Sequence, residues 1–296
     1  MINRNIYLID TGSVMHAAKH AMAKSALSNN DQHTFIIYGF LLKMCAILRN
    51  SHQDIVAYAF DSKSSVRQQF FNEYKAKRQE KTDEQKQLDE LAYPQFEEIE
   101  NFVLPTIGYR NIFKAKGFEA DDIMSKLARK YKQDYITIVS NDKDMYQCIT
   151  KTTVVMNPSN NNIVDEKLLM GMFSVSPKQW KRVKVYGGCT SDNVPGLPIP
   201  DSNLHIGEKT AIKYVLGSLP AHYKSYKAFI EPENKKIISR NKSLVILPHR
   251  KTPDFNLMPD STLSVNGLTE VCKKYNFKSI IEDLDTFKKI FKLKLK

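Results

Sequence analysis

Three short apolar segments, each ending in an aspartate, constrain the fold of this chain more than any other feature. They are "IYLID" (Ile6 to Asp10), "IVAYAFD" (Ile55 to Asp61) and "YITIVSND" (Tyr135 to Asp142). All three are rich in residues that favour strands. Helix-length segments lie between them, so we predict an α/β fold with a mainly parallel central sheet and helices on both faces.

The aspartates that end these segments are expected to share one edge of the sheet. In parallel sheets of this kind, ligands bind at the carboxyl ends of the strands. Asp10, Asp61 and Asp142 occupy those ends, and Asp144 follows two residues after Asp142. A single aspartate there is commonly a helix cap or a turn residue. An aspartate at each of three strand ends favours a functional site.

The segment "GFEADDIMSK" (Gly117 to Lys126) places Glu119, Asp121 and Asp122 within four residues. One or two acidic residues in a first helical turn are favoured by the helix dipole. Three carboxylates so close together repel one another, and a site that tolerates this repulsion usually holds a cation. Because oxygen ligands suit Mg²⁺ or Mn²⁺ better than zinc, we predict that these residues join the strand-end aspartates in one metal site.

The charge balance indicates an anionic partner. The sequence contains 44 Lys and Arg against 32 Asp and Glu, a formal charge of +12, and nucleic acid is the partner that this excess favours. Acidic clusters in so basic a chain predict phosphodiester hydrolysis, in which two metal ions activate a water and stabilise the leaving oxygen. The four cysteines lack CxxC pairing, and no apolar run approaches the roughly 20 residues of a membrane span. We therefore expect a protein of the reducing cytoplasm with no membrane partner.

A basic segment follows the second apolar run: "FDSKSSVRQQFFNEYKAKRQEKTDEQKQ", Phe60 to Gln87. If this segment is helical, Lys75 and Arg78 share one face, from which both cations would reach one phosphate. Tyr74 is placed to stack on a base, and Arg67 adds a further cation. A solvated charged helix is the common alternative. The pattern favours a helical excursion above the sheet that contacts the substrate.

Two helix-like segments further along are joined by a stretch rich in helix breakers. The first is "SPKQWKRVKVYGG" (Ser176 to Gly188), the breaker-rich stretch covers Cys189 to His205, and the second is "IGEKTAIKYVLG". Free N–H groups at Gly207, with Lys209 and Thr210 beside them, would bind a phosphate without reading base sequence. An ordinary packing corner between two helices is the alternative interpretation.

Seven motifs in chain order resemble the 5′-nuclease family, which includes flap endonucleases, the 5′-exonuclease domain of bacterial DNA polymerase I and bacteriophage 5′-exonucleases. The motifs are "LIDTGS", "FDSKSSVR", "YKAKRQEK", "GFEADD", "SNDKDM", "SDNVPG" and "IGEKTA". The resemblance implies a PIN-like α/β nuclease domain at 1–175 with a helical arch at about 62–100. It also implies a helix-hairpin-helix DNA-binding region with a basic C-terminal extension at 176–296. The length suits a stand-alone enzyme of the bacteriophage type.

The same resemblance implies roles for individual residues and two Mg²⁺ ions, for which Mn²⁺ can substitute. The residues that match carboxylates around the first metal are Asp10, Asp61, Glu119 and Asp121. Those that match first- or second-metal ligands and their supports are Asp122, Asp142, Asp144 and Asp192. Lys75 and Arg78 match catalytic arch residues that contact the scissile phosphate. The residues expected to bind DNA are Arg67, Tyr74, Gly207, Lys209 and Thr210, and the hairpin carbonyls would hold a K⁺ ion.

Two departures from the family pattern affect these expectations. Where the family has G-D-x-x-D-N, this chain reads "GCTSDN", so Cys189 stands at the position of a second-metal aspartate. The hairpin is also lengthened by "PIPDSNLH", which alters the expected K⁺ site. Asp201 in this insertion is either a replacement for the lost carboxylate or a surface turn residue.

We expect a metal-dependent 5′→3′ exonuclease or structure-specific flap endonuclease that acts as a monomer on DNA with free 5′ ends or 5′ flaps, and on RNA in RNA–DNA hybrids. A replication polymerase is the candidate protein partner, and the bacterial or phage-infected host cytoplasm is the expected location. Two alternatives stay open: a structure-specific DNA-binding protein with little catalysis, and a ribonuclease of the PIN type, which would need neither arch nor hairpin. The retained acidic positions favour the enzyme, because a protein that only binds a polyanion gains nothing from concentrated negative charge.

Overall fold

Strands and helices alternate along the computed structural model, which describes residues 3–22, 27–29, 32–79, 82–260 and 262–295. The strands are β1 (Asn5–Asp10), β2 (Ser28–Asn29), β3 (Gln32–His33), β4 (Ile55–Phe60), β5 (Ile112–Lys114), β6 (Tyr135–Val139), β7 (Thr153–Met156), β8 (Ile163–Val164), β9 (Gly188–Cys189) and β10 (Val194–Pro195). The helices are α1 (Thr11–Met22), α2 (Phe35–Leu48), α3 (Val66–Phe70), α4 (Asp83–Glu98), α5 (Leu104–Ile107), α6 (Ala120–Lys130), α7 (Glu166–Phe173), α8 (Pro177–Gly187), α9 (Glu208–Val215), α10 (Lys224–Ile230), α11 (Asn234–Val245), α12 (Val265–Lys274), α13 (Lys278–Glu282) and α14 (Leu284–Phe291). Short 3-10 helices lie at Ala76–Gln79, Lys143–Cys148 and Thr190–Asp192, and a π-helix lies at Ile99–Val103. None of the described helices has the length and apolar character that crossing a membrane requires.

Strand β1 lies inside a six-stranded sheet with the order β5–β4–β1–β6–β7–β8. Both β4 and β6 pair with it in parallel, and within this sheet β8 alone runs antiparallel to its neighbour. The chain leaves β1 towards β4 and β5 and then returns to β6 on the other side of β1. Ligands bind outside the carboxyl ends of the strands at such a switch point. Asp10, Asp61 and Asp142 lie at those three ends, as the sequence predicts.

Helices cover both faces of the sheet. On one face, α1 and α2 pack with the C-terminal helices in a core that includes Phe35, Phe40 and Phe291. On the other face, Ile123 and Leu127 of α6 pack against the buried side chains of β1 and β6. All six residues of β4 are buried, as expected for a strand that is covered on both faces. The predicted α/β architecture is therefore confirmed.

The basic segment after β4 differs from the prediction, because it is not one continuous helix. Helix α3 ends at Phe70, a turn follows, and Lys75 has a left-handed backbone with φ of 58°. The backbone N–H of Lys75 donates a hydrogen bond to the carbonyl of Asp192 (2.8 Å). Lys75 and Arg78 therefore do not share a regular helical face. After this segment the chain forms helix α4, which begins with a capping box made by Thr82 and Gln85.

Helices α8 and α9 form the predicted helix-hairpin-helix. The chain between them passes through β9 and β10 and a short antiparallel bridge between Pro198 and His205. The two arms of the hairpin pack closely at Gly196, where a Cβ would lie 1.9 Å from the carbonyl oxygen of Ile206. The insertion that lengthens the hairpin forms its exposed tip, where Asp201 has a φ of 53°.

Candidate metal centre

A cavity of about 870 Å³ opens at the carboxyl ends of β1, β4 and β6. The acidic side chains that line it are Asp10, Asp61, Glu119, Asp121 and Asp142. The lysines that line it are Lys43, Lys75, Lys143 and Lys184. The structure thus brings residues from three strand ends and from the acidic start of α6 into one cavity.

Asp10, the last residue of β1, is held in place by two serines. Its Oδ1 accepts a hydrogen bond from the backbone N–H of Ser13 (3.0 Å), and its Oδ2 accepts from the hydroxyls of Ser13 (2.5 Å) and Ser140 (2.8 Å). Burial raises the pKa of Asp10, the serine bonds oppose that rise, and the negative charge of Asp142 adds to it. The carboxylate is therefore fixed in orientation but crowded by negative charge.

The acidic start of α6 is held by a contact with the end of the neighbouring strand β4. Asp61 Oδ1 accepts a hydrogen bond from the backbone N–H of Ala120 (2.8 Å), so a carboxylate that follows β4 caps this helix. Asp121, one residue further, faces the cavity. Desolvation, followed by the charges of Asp142 and Asp10, holds the pKa of Asp121 well above its usual range.

Asp142 completes this side of the cavity. Its Oδ1 accepts a hydrogen bond from the backbone N–H of Asp144 (2.7 Å), which orients the carboxylate at the end of β6. Burial, followed by the charge of Asp144, raises the pKa of Asp142 to about 6. Ser140 donates to Asp10 and accepts from the N–H of Asp142, so one hydroxyl connects two of the acids.

The chemistry of these donors fits a divalent cation. The pKa values of Asp10, Asp121 and Asp142 are all raised, and in each case a neighbouring carboxylate contributes. Repulsion of this kind is relieved when a cation binds between the acids. Because the donor atoms are all oxygens, a hard ion such as Mg²⁺ or Mn²⁺ suits them.

A second group of donors adjoins the first. Asp144, Cys189 and Asp192 each offer one ligand atom, and these atoms lie within 4.8 Å of one another. Burial raises the pKa of the Cys189 thiol to about 12, with the charges of Asp144 and Asp192 adding to it. A protonated thiol is a poor ligand for Mg²⁺. Asp201, considered from the sequence as a replacement, lies on the exposed hairpin tip and is not among the residues that line the cavity.

Asp122 and Arg67 do not have the roles that the sequence suggests. Arg67 is only 1% exposed, and its guanidinium forms two hydrogen bonds with Asp122, at 2.5 and 2.8 Å. The backbone N–H groups of His249 and Glu119 donate to the same carboxylate, which thereby has both oxygens engaged. Of the roles expected for Asp122, ligand or support, these contacts favour a support, because Asp122 does not line the cavity. The burial of Arg67 corrects the expectation that its side chain contacts DNA.

Replacing Arg67 with methionine is expected to lower the free energy of unfolding by about 3–5 kcal/mol, because it leaves the Asp122 carboxylate buried without its charge partner. Chemical denaturation measures the loss. The matched control is Arg4→Met, which breaks the Arg4–Asp134 pair. The Arg4 side chain is 39% exposed, so this loss should stay below about 1 kcal/mol. Equal losses in the two variants would contradict the structural role of Arg67.

Lys75 lines the cavity, and the neighbouring Tyr74 is buried beside it. The Tyr74 ring is buried, and its hydroxyl donates to Glu119 (3.0 Å) and Asp192 (3.2 Å). This corrects the expectation that Tyr74 stacks on a nucleotide. Lys75 Nζ lies 2.8 Å from Glu119 Oε1 and 4.0 Å from Asp192 Oδ1, with 21% of the side chain exposed. Lys75, one of the two predicted arch cations, thus contacts the acids directly.

The remaining predicted residues belong to the 3-10 helix Ala76–Gln79 and to the start of α9. Arg78 belongs to the 3-10 helix Ala76–Gln79, but its side chain lies outside the described part of the chain. Gly207 precedes the first turn of α9, and Lys209 is exposed beside it. Thr210 is half-buried on the same turn. These hairpin residues present N–H groups and a cation to solvent, which is the arrangement a phosphate would need.

Sequence reasoning missed Lys184, whose Nζ lies 2.7 Å from Asp144 Oδ1. Both side chains are buried, and the pKa of Lys184 is raised by Asp144 in spite of desolvation. The sequence contained one sign of this ion pair: Lys184 follows Trp180 by four residues, so both side chains lie on the same face of the helix. Trp180 is fully buried, so a lysine on that face must find an acidic partner.

Comparison with known proteins gives a consistent assignment. A family model described as "5′-3′ exonuclease, N-terminal resolvase-like domain" matches residues 5–174. A 5′-3′ exonuclease of Buchnera aphidicola subsp. Schizaphis graminum is 33% identical over 189 residues, which is 62% of this chain and 61% of that protein. DNA polymerase I of Streptococcus pneumoniae is 30% identical over 260 residues, which is 83% of this chain and 28% of that protein. The chain thus spans less than two thirds of either relative.

Solved structures of a bacteriophage T5 enzyme share the fold. The T5 5′-exonuclease with bound zinc has a TM-score of 0.69 at 18% identity, covering 98% of this chain and 99% of that one. The T5 flap endonuclease in a complex with DNA and metal ions has a TM-score of 0.68 at 18% identity, covering 96% and 100%. At this level of identity the likeness concerns the fold alone.

Proposed function

The chain belongs to the 5′-3′ exonuclease family, and from that premise we propose that it hydrolyses phosphodiester bonds near free 5′ ends or 5′ flaps of DNA. The observation that supports this proposal is the convergence of Asp10, Asp121 and Asp142 with Lys75 in one cavity of a strongly basic chain. A protein that only binds DNA would gain nothing from carboxylates concentrated in a cavity that phosphates would have to approach. The proposed ion is Mg²⁺, with Mn²⁺ as a substitute.

When bound, the divalent cation supplies water activation and charge stabilisation at the phosphate. The chain's own residues prepare the site for it. Ser13 and Ser140 fix Asp10, and the N–H of Asp144 fixes Asp142. Lys75 is held by its backbone bond to Asp192 and by its contact with Glu119. From there its ammonium is placed to approach an oxygen of the scissile phosphate, where negative charge develops in the transition state.

The helix-hairpin-helix is proposed to bind the duplex through its backbone, with a K⁺ ion at the hairpin carbonyls. Gly207 and Lys209 lie at the exposed start of α9 and support this proposal. Because such contacts do not read the sugar closely, RNA in RNA–DNA hybrids is a further proposed substrate. The match to a DNA polymerase I supports a replication polymerase as a working partner of the nuclease.

The direct test is cleavage of a 5′-labelled flap duplex. The proposal expects short 5′ products with Mg²⁺ and none with EDTA. An internally labelled, closed circular duplex, which has neither a flap nor a 5′ end, serves as the control. A matched hybrid whose 5′ strand is RNA tests the wider substrate range. Flap binding without cleavage in both Mg²⁺ and Mn²⁺ would favour the alternative of a DNA-binding protein.

Duplex affinity is expected to fall steeply with salt, because phosphate contacts release counterions in proportion to their number. Replacing Lys209 with glutamine should reduce the slope of log affinity against log salt by about 1. Fluorescence anisotropy with a non-cleaved duplex in EDTA measures both slopes. The matched control is Lys132→Gln, since Lys132 is exposed at the amino end of β6, the sheet edge opposite the cavity. Equal slopes for the wild type and Lys209→Gln would show that the hairpin lysine contacts no phosphate.

A further inference from the structure

Another concave surface lies between α8, α11 and the segment that follows α11, and we call it the basic groove. Its volume is about 560 Å³. The basic residues that line it are Lys181, Arg182, Lys242 and Arg250, the aliphatic ones are Val185, Ile238, Ile246 and Pro248, and Tyr186, Ser243 and His249 complete the lining. Within the described part of the chain, this lining contains no Asp or Glu and shares no residue with the metal cavity. The basic groove is therefore separate from the site proposed for hydrolysis.

The aliphatic side chains of the basic groove are incompletely covered by the chain. Val185 is 3% exposed and belongs to a buried cluster with Leu244 and Val245. Ile238 and Ile246 pack against this cluster but are only half-buried themselves. Half-exposed aliphatic side chains in a concave surface favour a ligand that carries an apolar group, because covering them removes apolar area from water.

Among the described residues, the four basic side chains of the groove have no carboxylate within salt-bridge distance. Arg182, Lys242 and Arg250 are exposed, whereas Lys181 is half-buried. Desolvation, followed by the positive charge of Arg129, lowers the pKa of Lys181. Cations that gather beside an apolar surface without a counter-charge favour an anionic ligand, because its negative charges would relieve their mutual repulsion.

Asp122 acts on one end of the basic groove but does not neutralise it. Its charge raises the pKa of His249, whereas desolvation and then the charge of Arg67 lower that pKa, and the resulting shift is downward. The Asp122 carboxylate accepts two hydrogen bonds from the Arg67 guanidinium, at 2.5 and 2.8 Å, so its charge is already paired. The groove thus presents a positive charge to a ligand.

The chemistry of the basic groove favours a protein segment over nucleic acid. Bases of a single strand bind by stacking on aromatic rings, but Tyr186 already packs edge-on against Tyr214 and Phe229. The Arg182 guanidinium also lies over the Tyr186 ring, with its central carbon 6.0 Å from the ring centroid. A sugar-phosphate backbone carries no aliphatic group to cover the apolar side chains. A peptide combines carboxylates with apolar side chains on neighbouring residues, and clusters of basic side chains recognise such acidic motifs.

We propose that the basic groove binds an acidic segment of a partner protein, whose carboxylates contact the four basic side chains and whose apolar side chain covers Ile238 and Ile246. This interaction goes beyond phosphodiester hydrolysis. Because the groove and the metal cavity share no lining residue, a partner bound in the groove would hold the chain while the acidic cavity stays open to substrate.

The test measures peptide binding by the full chain in EDTA. The probe is a fluorescein-labelled peptide of four aspartates followed by leucine and phenylalanine, and fluorescence anisotropy follows its binding. The wild type is expected to bind this peptide saturably, with an affinity that falls as salt is added. Replacing the four aspartates with asparagine should weaken binding at least about tenfold, because the charge attraction is lost. Replacing leucine and phenylalanine with serine should also weaken it about tenfold, because the apolar contact is lost.

Variants of the chain separate the groove from its general positive charge. Lys242→Ala combined with Arg250→Ala should lower the peptide affinity at least about tenfold and leave duplex affinity and flap cleavage unchanged. The matched control is Lys132→Ala combined with Arg110→Ala, which removes the same two residue types from exposed positions outside the groove. This control should change the peptide affinity by less than about threefold. Ile246→Ser tests the apolar contact from the side of the chain, and circular dichroism verifies that each variant is folded.

Each remaining outcome overturns the inference in a recognisable way. Absence of saturable binding to the acidic peptide, or equal losses in the groove variant and its control, would show that no groove site for such a segment exists. A matching loss of duplex affinity in the groove variant would assign the groove to nucleic acid. A dimer seen by light scattering that the groove substitutions dissociate would assign it to a second copy of this chain. If Ile246→Ser does not fold, the serine peptide still tests the apolar contact. Peptide binding is measured without metal or DNA, so its failure and a failure of the proposed nuclease function are independent results.

Discussion

Asp121→Asn is expected to reduce flap cleavage by at least about 10²-fold while leaving DNA affinity unchanged or higher. Asp121 faces the cavity, and the charges of Asp142 and Asp10 contribute to the raised pKa of its carboxyl. An amide retains the shape but removes the charge that a divalent cation requires. It also removes one negative charge that repels the phosphates, so binding should not suffer.

Single-turnover cleavage and anisotropy on one flap substrate measure the two effects separately. Asp201→Asn is the matched control, since this aspartate lies on the exposed hairpin tip. It should leave cleavage and its Mg²⁺ dependence unchanged. If Asp121→Asn turns over at the wild-type rate, the carboxylate does not hold a metal ion. If Asp201→Asn raises the Mg²⁺ requirement, the inserted hairpin supplies a ligand after all.

Lys75→Ala is expected to lower the single-turnover rate by about 10²-fold or more and to change duplex affinity by less than about threefold. The ammonium lies among the acids, 2.8 Å from Glu119, and not on a surface that a duplex would cover. Its contribution should therefore appear when charge develops on the scissile phosphate. Rapid-quench kinetics and anisotropy under matched conditions provide the two numbers.

Lys77→Ala is the matched control for this prediction, because Lys77 lies two residues away and its side chain is exposed. It should affect affinity slightly and the cleavage rate hardly at all. A loss of affinity alone in Lys75→Ala would show an ordinary phosphate-positioning contact. The same effect on the cleavage rate is predicted for Arg78→Ala from the resemblance of "YKAKRQEK" to the family motif.

The sequence predicted the fold class and the family well, because both depend on local patterns. Apolar runs ending in Asp10, Asp61 and Asp142 specify parallel strands and place their ends at one edge, whatever the rest of the chain does. The structure confirms the fold, and the family match confirms the predicted 5′-nuclease resemblance. The order of the motifs along the chain was enough to indicate the family, without any information on distances between residues.

Individual roles were harder to predict, because they depend on partners far away in the chain. Arg67 is removed from the surface by Asp122 and by the carbonyl of Leu244, which is 177 residues away. Tyr74 is buried, and its hydroxyl is hydrogen-bonded to Glu119 and Asp192. A basic or aromatic residue beside a family motif gives no sign of such contacts, so its expected role as a DNA contact could not be distinguished from a structural one.

The crowded acids of the cavity also have a consequence for the stability of the whole chain. Side chains such as Asp121 and Asp142 repel one another whenever no cation lies between them. Burial raises the pKa values of both carboxyls, and the charges of neighbouring carboxylates raise them further. Folding must bring these charges together, so the ion-free protein is less stable than the same fold with amides at these positions would be. Because a bound divalent cation would relieve this repulsion, we expect the thermal tolerance of this chain to rise with the divalent-ion concentration of its surroundings.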